Sequence, residues 1–400
     1  GLQNEDVAQA PPIGDLLPEI GRFIGNSIIV GHNISFDIAF LASAGLRLRN
    51  RTIDTFALAS VLMPHVPQYN LGTLAAELGI SLNNAHRARD DAEASRQLFL
   101  ALCERAGGLS PSLLQEINRV AQGSRWPLAG LFRSFESQQA RSGFSGSLAS
   151  QLRAKGIIAE GTTFGMLLGD AEEPAEVRPA PAAVGVDVAE MRALLEADGA
   201  FARQFPGYEH RPQQIAMLEA VAETMRDGGV LMVEAGTGTG KSLAYLIPAS
   251  HFSVAAGRRA VISTNTINLQ DQLFQKNLPD LRNILPFHFR YTVLKGRSNY
   301  LCMRKLNALQ QAGQLSADEM QTIARIMVWA QSTATGDRSE LFLPTPADHI
   351  FWSRVAADSE SCAGEHCRHY QQRTCLLQRA RRQADTWHLI IVNPSLLLAD

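Results

Sequence analysis

The chain has 400 residues, of which 46% are hydrophobic and 19% are charged. This length allows two or three domains and excludes a single small binding module, while the composition excludes an intrinsically disordered protein. The 37 Lys and Arg residues nearly balance the 39 Asp and Glu residues, so the net charge is −2. A nucleic-acid partner would therefore have to be bound by a local basic patch rather than by the overall charge.

The sequence predicts neither a membrane segment nor a secretory signal. Its apolar runs, such as 389–392, are far shorter than the ~20 residues of a spanning helix. The first residues lack the basic start and apolar stretch of a signal peptide. Four of the five cysteines lie in the last hundred residues, a pattern that favours a metal or redox site over a disulfide scaffold. We therefore expect a cytoplasmic protein.

In chain order, the pattern predicts two α/β regions joined by a linker. Residues 1–106 alternate strands and helices, beginning with a buried strand in SIIVGHN and a helix in FDIAFLASAG. Residues 107–204 are weakly helical and include a Pro-, Ala- and Glu-rich linker at 170–185. Residues 205–400 again alternate strands and helices, beginning with a strand in GVLMVE (229–234). This succession predicts a mostly parallel sheet with helical crossovers.

Two aspartates of the first region lie on apolar helical stripes. Asp37 shares its stripe with Phe40 and Leu41, and Asp91 shares its stripe with Ser95 and Leu98. An inward-facing carboxylate needs a partner, and two of them in one small unit could share divalent metal ions. The alternative is that each aspartate caps its own helix.

The segments VGHNISFDIAFL, IDTFALA and HRARDDAEAS resemble the second and third motifs of the DnaQ-like exonucleases, a ribonuclease H-like group with an active-site histidine. The resemblance implies that Asp37 and Asp91 hold two magnesium or manganese ions. It also implies that His86 is the general base that deprotonates the attacking water. The family's first motif, an Asp-x-Glu strand, has no counterpart before Asn33, so we expect the chain to begin partway into this domain.

Residues 235–242, AGTGTGKS, form the clearest motif of the second region. A glycine-rich loop between a strand and a helix cradles phosphates with backbone amides and the helix N-terminus. Ala235 replaces the first glycine of the strict pattern, and a chance glycine-rich turn is the alternative. The predicted nucleotide-binding residues are Gly236, Thr237, Gly238, Thr239, Gly240, Lys241 and Ser242, with Lys241 on the β- and γ-phosphates and Ser242 on magnesium.

Polar residues flank this loop on both sides. Arg211 and Gln214 begin a predicted helix, where they could hydrogen-bond an adenine edge or form a solvated helix start. The segment STNTINLQDQL follows the next strand, where it could bind a ligand or form an ordinary turn and N-cap.

Four cysteines, Cys302, Cys362, Cys367 and Cys375, point to a metal site, whereas Cys103 lies far from them in sequence. Because Cys302 has no near partner, the spacing favours an iron–sulfur cluster over structural zinc. Zinc held with His366 or His369 and scattered buried thiols are the alternatives. Between these cysteines, Ser316 and Glu319 predict a capping box and a helix with Met320, Ile323, Met327 and Ala330 on one face.

A basic stretch accompanies the last cysteines. It could form a groove for single-stranded DNA with tyrosines as stacking faces, or a solvated helix face. The residues concerned are Arg368, Arg373, Arg379, Arg381, Arg382, Tyr300 and Tyr370.

The segments YEHRPQQ, EAGTGTGKS, LKGRSNYLC, the three-cysteine run and IIVNPSLLLAD together resemble the front half of the DinG or XPD type iron–sulfur helicases of superfamily 2. The resemblance implies ATP-driven movement along single-stranded DNA, with Arg211 and Gln214 near adenine. It also implies a [4Fe–4S] cluster on Cys302, Cys362, Cys367 and Cys375. The chain ends just before the family's acidic DEAH-like box, so we expect a fragment of a longer protein.

The predicted fold class is α/β. It comprises a partial ribonuclease H-like exonuclease domain at 1–106 and a RecA-like P-loop ATPase domain at 205–400, with a helical iron–sulfur insertion at about 296–385. The predicted function is an ATP-dependent DNA helicase with a 3′-5′ exonuclease domain, acting as a monomer on single-stranded or branched DNA in repair or replication. The alternatives are a non-catalytic ATP- and DNA-binding module and an ATP-regulated exonuclease without helicase activity.

Overall fold

The computed structural model describes residues 10–81, 88–141, 177, 187–313, 315–333 and 335–398. The predicted general base His86 and nearly all of the predicted linker at 170–185 lie outside these residues. In the described ranges, no helix has both the length and the apolar character needed to cross a membrane.

The first part of the chain contains two short strands and seven helices among its described residues. In chain order they are α1 (Ile13–Ile24), β1 (Ile29–Gly31), α2 (Ser35–Ser43), β2 (Thr52–Asp54), α3 (Thr55–Leu62), α4 (Leu71–Glu77), α5 (Ala88–Gly107), α6 (Pro111–Val120) and α7 (Ala129–Arg141). Side chains fix several helix starts, since Asp54, Asn70 and Ser110 accept hydrogen bonds from first-turn amides of α3, α4 and α6.

The middle part carries the phosphate loop. Its elements are α8 (Val188–Leu194), α9 (Ala200–Gln204), α10 (Pro212–Asp227), α11 (Lys241–Ala256), β3 (Ala260–Ser263), α12 (Ile267–Gln272), α13 (Leu278–Ile284) and β4 (Tyr291–Val293). A π-helical turn, Leu273–Asn277, joins α12 to α13.

The last part contains the cysteines. Its elements are α14 (Met303–Gln311), α15 (Ala317–Trp329), α16 (Pro346–Val355), α17 (Arg368–Gln371), α18 (Leu376–Asp385), β5 (Leu389–Val392) and α19 (Pro394–Leu397). The predicted capping box is confirmed, because Ser316 accepts from the Glu319 amide and Glu319 accepts from the Ser316 amide. Met320, Ile323, Met327 and Ala330 are all fully buried, as the helical stripe predicted.

The chain divides into two compact units. Unit 1 comprises Gly1–Gly169 and Tyr300–Ala363, and unit 2 comprises Asp170–Asn299 and Gly364–Asp400. The segment 300–363, which the sequence places inside the ATPase region, therefore folds with the N-terminal region.

Each unit has a parallel sheet, as the alternating pattern predicted. In unit 1, β1 pairs with β2 and Gly31 lies opposite Asp54. In unit 2 the described strands follow the order β3-β5-β4, all parallel. All four residues of the central strand β5 are buried, and its hydrophobic contacts join α11 and α13 in the core of unit 2.

Two sequence-based expectations about these regions are wrong. Residues 229–234 form no strand, and the side chains of Val230 and Met232 are 94% and 92% exposed. A strand needs a hydrogen-bonded neighbour, and none of the described strands lies beside this segment. Strand β1 is also only partly buried, since Gly31 alone is enclosed.

Candidate functional site

The phosphate loop is accessible and has the backbone shape that its glycines predict. Gly238 and Gly240 have φ values of 83° and 79°, a left-handed conformation that residues with a Cβ rarely adopt. Gly236 and Gly238 have open space where a Cβ would stand. Gly240 is the N-cap residue of α11, so an anion bound in the loop would lie at the N-terminus of a 16-residue helix.

Lys241 and Thr239 fix the loop from within. The Nζ atom of Lys241 donates to the carbonyl oxygens of Ala235 at 2.7 Å and Gly236 at 2.6 Å. The Thr239 hydroxyl donates to the Gly236 carbonyl at 3.0 Å. The ammonium group is thus held at the loop by weakly basic carbonyl oxygens, which a phosphate oxygen can replace with a stronger charge-assisted hydrogen bond.

Gln214 packs directly against this loop. Its Nε2 donates to the Gly240 carbonyl at 2.8 Å, and the Gln214 side chain occupies the place where a Cβ of Gly240 would stand. Gln214 is only 3% exposed, whereas Arg211 forms an ion pair with Glu209 at 2.7 Å. The structure therefore places Gln214 as a support of the phosphate loop, a role that its sequence position did not indicate.

Ser242, the predicted magnesium ligand, is half-buried in the first turn of α11. A side-chain hydrogen bond joins it to Tyr245, whose pKa is raised because burial outweighs the effect of this bond. In the segment that follows β3, Thr266 accepts from the Leu269 amide at 3.3 Å and caps α12. The ordinary N-cap interpretation therefore accounts for Thr266.

The two predicted nuclease carboxylates occupy first turns of helices. Asp37 lies in α2 and Asp91 lies in α5. The inward orientation predicted for Asp37 is wrong: it is exposed, like Phe36 and Phe40 on the same helix. No residue of α2 is fully buried, and the carboxylate of Asp37 reaches solvent.

Neither carboxylate is a helix cap or half of an ion pair in the described structure. The N-cap residue of α2 is Ile34, which excludes the capping role for Asp37. Asp91 is half-buried, and below it the stripe continues through the buried residues Ser95, Leu98 and Leu102, as predicted. No group of three or more His, Cys, Asp or Glu side chains in metal-binding reach occurs among the residues that the structure describes.

The edge of the unit 1 sheet contains residues that sequence analysis missed. Asp54, at the end of β2, accepts from the amides of Asn33 at 3.0 Å and Phe56 at 2.8 Å. Nδ1 of His32 lies 3.0 Å from the hydroxyl of Thr55, and burial lowers the pKa of His32. Asp54 therefore fixes both the start of α3 and the loop that leads to Asp37, and the signal for this role was its place directly after a strand.

The four predicted cluster cysteines divide between the units. Cys302 and Cys362 belong to unit 1, and Cys367 and Cys375 belong to unit 2. In unit 1, Arg304 donates to the carbonyl of Ser361, the residue before Cys362, and so ties the start of α14 to that segment. No disulfide joins any of the five cysteines, all of which are described.

Three of these cysteines, Cys302, Cys367 and Cys375, are N-cap residues of α14, α17 and α18. Burial raises the pKa of the Cys103 thiol. Four thiolates are a suitable donor set for an iron–sulfur cluster, but no three of these cysteines lie within metal-binding reach of one another in the part of the chain that the structure describes.

The basic stretch of unit 2 lies on α17, α18 and the turn between them. The Arg382 guanidinium sits 5.5 Å from the ring centre of the half-buried Tyr370. The proposal that Tyr300 is a stacking face is wrong, because this residue is 1% exposed and belongs to the core of unit 1. A buried ring cannot stack on a base.

Comparisons with known proteins relate this chain to exonucleases and helicases. Residues 1–99 match the exonuclease family RNase_T. The 3′-5′ exonuclease DinG of Bacillus subtilis (strain 168) is 30% identical in an alignment 412 positions long, which covers 100% of this chain and 42% of that protein. The ATP-dependent DNA helicase YoaA of Escherichia coli (strain K12) is 36% identical over 206 residues, 51% of this chain and 31% of that protein. The 3′-5′ exonuclease DinG of Staphylococcus aureus (strain USA300) is 26% identical over 351 residues, 86% of this chain and 36% of that protein.

Residues 1–99 are thus similar to the exonuclease family. The chain as a whole is similar to the DinG-type proteins, and the predicted resemblance is confirmed. The chain spans less than half the length of these relatives.

Proposed function

We propose that this chain contributes to a DNA-processing enzyme in which a 3′-5′ exonuclease is joined to an ATP-dependent DNA helicase. The observation that carries the proposal is the presence, in one chain, of an exonuclease match at 1–99 and an accessible phosphate loop at 235–242. The relatives named as a 3′-5′ exonuclease and as an ATP-dependent DNA helicase support the two halves separately.

In the exonuclease half, Asp37 and Asp91 would hold divalent magnesium or manganese. Both are carboxylates without a hydrogen bond or ion pair in the described structure, so their oxygens are available to a hard cation. The metal would supply charge stabilisation and an activated water. His86 would accept the proton of that water, and Asp54 would hold the Asn33 loop that leads to Asp37.

In a chain that carries an Asp-x-Glu strand before Asn33, Asp37→Asn is expected to lower hydrolysis of single-stranded DNA from its 3′ end by at least about tenfold to a hundredfold, the loss caused by changing a residue that only supports a metal ligand. The matched control is Asp15→Asn, because Asp15 is also an exposed aspartate in a first helical turn. The measurement is release of labelled nucleotides in the presence of Mn²⁺. Equal rates for the Asp37 variant and the unaltered chain would contradict the role of Asp37.

In the motor half, we propose a RecA-like ATPase domain. Residues Gly236–Gly240 would surround the phosphates, Lys241 would neutralise the β- and γ-phosphates, and Ser242 would bind magnesium. The parallel order β3-β5-β4 supports an open α/β sheet, in which ligands bind at the carboxyl ends of strands. Arg211 is the remaining candidate for the adenine, while Gln214 supports the loop.

We further propose that Cys302, Cys362, Cys367 and Cys375 bind a [4Fe–4S] cluster. Four thiolates are the usual ligand set of such clusters. None of the four is paired in a disulfide, and all four are exposed or half-buried, so their sulfur atoms are accessible to iron.

Purification without oxygen is expected to give a brown protein with about four irons per chain, the content of one [4Fe–4S] cluster. Cys302→Ser should lose most of this iron, whereas Cys103→Ser should keep it, because the Cys103 thiol is distant in sequence and has a raised pKa. Elemental analysis that finds zinc and no iron would replace the cluster with a zinc site.

The substrate would be single-stranded DNA, bound in part by the arginines of α17 and α18. Phosphate contacts by Arg make binding weaken as salt concentration rises. The cation–π contact between Arg382 and Tyr370 places an aromatic ring next to a positive charge. In single-stranded DNA binding, a ring of this kind stacks on a base and the charge binds the phosphate backbone.

A further inference from the structure

Helix α15 of the 300–363 segment is a core helix of unit 1 rather than a surface element of an insertion. Nine of its thirteen residues are buried. It packs against α3 of the exonuclease region, against α6, which follows that region in sequence, and against α16 of its own segment. A helix that is buried on nearly all sides forms part of a common core, so the two segments of unit 1 share one core.

Gln321 makes the most specific contact across these segments. Its Nε2 donates to the Ala57 carbonyl at 2.6 Å and to the Ser60 hydroxyl at 2.9 Å, both on α3. Its Oε1 accepts from the indole N–H of Trp126 at 2.6 Å. Both donors and the acceptor oxygen of one amide are therefore used to join α15 to the exonuclease region.

Further contacts extend this surface beyond α3. Nη2 of Arg325 donates to the Ser60 hydroxyl at 3.2 Å, and the Phe342 amide donates to the Pro64 carbonyl at 3.1 Å. The rings of Tyr69 and Phe342 lie 4.7 Å apart between their centres. We call the contacts of residues 57–69 and Trp126 with residues 321–342 the α3–α15 joint.

The opposite end of α3 reaches the nuclease loop. The hydroxyl of Thr55, the first residue of α3, donates to the Gly31 carbonyl at 3.3 Å and contacts His32. Asp54, the N-cap residue of α3, holds the Asn33 amide four residues before Asp37. Helix α3 therefore contacts α15 along the length of α3, and the N-terminus of α3 fixes the loop that precedes Asp37.

We propose that the α3–α15 joint is the docking surface of the exonuclease domain for residues 300–363, and that it conveys changes in this segment to the nuclease loop. The segment carries Cys302 and Cys362, so loss of a cysteine ligand or binding of DNA there would act on the nuclease through α3. This route does not depend on residues 142–186. It adds regulation to the function proposed above and rests on that function for its biological meaning.

The first test asks whether the α3–α15 joint holds the two segments of unit 1 together after the chain between them has been cut. A specific protease site is introduced in 170–185, the chain is cut there, and the products are run on a sizing column. We expect the N-terminal piece to co-elute with the remainder at micromolar concentration, with affinity reduced at least tenfold by Gln321→Ala. Gln311→Ala, at an exposed glutamine of the same segment, should have no effect. Separate elution of the pieces of the unaltered chain would overturn the proposal.

The second test measures transmission by hydrogen exchange in the uncut chain. Gln321→Ala should speed exchange of the amides at 29–37 by about tenfold, and Gln311→Ala should leave them unchanged. Faster exchange confined to α15 would show that the joint conveys nothing to the nuclease loop. Elution and hydrogen exchange do not measure nuclease activity, so failure of the proposed function and failure of this inference can be told apart.

Discussion

In a chain that includes an acidic DEAH-like box, Lys241→Ala is expected to reduce ATP hydrolysis by about a hundredfold to a thousandfold, the usual effect of removing one group that stabilises developing charge. Nucleotide binding should weaken by about tenfold to a hundredfold, since a hydrogen bond to a charged group contributes about 1.5–3 kcal/mol. Lys241 is placed for this role because its Nζ already lies within the loop, 2.6 Å from the Gly236 carbonyl. Titration with a fluorescent ATP analogue and Mg²⁺ measures the binding effect.

The matched control is Lys276→Ala, since Lys276 is an exposed lysine of the same unit outside the loop. Its removal should change neither binding nor hydrolysis beyond experimental error. Identical titration curves for the Lys241 variant and the unaltered chain would show that the loop does not bind nucleotide through this lysine.

Asp348→Ala is expected to destabilise unit 1 by about 3–5 kcal/mol, the cost of leaving one partner of a buried ion pair uncompensated. The side chains of Arg325 and Asp348 are 4% and 6% exposed, and their charged atoms lie 3.3 Å apart. The Arg325 Nε already has no hydrogen-bond partner in the described structure. Loss of Asp348 would leave the whole guanidinium without a counter-charge.

Urea unfolding followed by tryptophan fluorescence measures this effect, because Trp329 and Trp352 are buried within unit 1. The exposed Asp318 supplies the control, and Asp318→Ala should change stability by no more than about 0.5 kcal/mol. Replacing both partners, Arg325→Met with Asp348→Leu, should recover most of the loss, because no buried charge then lacks a partner. A single variant as stable as the unaltered chain would show that this ion pair does not support unit 1.

The same pair predicts a pH dependence. Burial opposes ionisation of Asp348, but hydrogen bonds from Thr322 and Thr345 and the charge of Arg325 outweigh it and lower the pKa below its ordinary value of 3.8. The folded state therefore favours the carboxylate. The stability that the Asp348 carboxylate contributes is fully present above its pKa in the unfolded state, and it is lost as pH falls through its pKa in the folded state. The stability of the unaltered chain should decline below about pH 3.8, and Asp348→Ala should decline less over that range.

Local signals in the sequence predicted local structure well. The Ser316 and Glu319 pair predicted the start of α15, and the alternating pattern of 205–400 predicted the parallel sheet to which β3 and β5 belong. These features depend on residues a few positions apart, where helical capping and strand periodicity act. The strand expected at 229–234 failed because pairing depends on a neighbour that a local pattern does not specify.

The sequence predicted the types of residue in the candidate site better than it predicted how those residues are arranged in space. The phosphate loop could be located from its glycines and Lys241, whereas the support by Gln214 depends on a contact across 26 residues. The Asp37 prediction assumed that an apolar stripe is always covered, but no residue of α2 is fully buried. The packing of α15 on α3 joins positions more than 250 residues apart, so periodicity within either segment could not reveal it.

The discontinuous make-up of unit 1 also determines the order in which this protein can fold during synthesis. Residues up to 141 leave the ribosome first, but α15, which carries Arg325, and the ion-pair partner Asp348 follow only after all of 187–299 has been made. At about 5–20 residues per second, adding residues 142–363 takes roughly ten to forty seconds. During that interval, Tyr69 and the α15-facing side of α3 have no partner from 300–363 and need shielding by a chaperone or by transient contacts. The N-terminal segment of unit 1 is therefore synthesised early, but its core is complete only after residues 300–363 have been made.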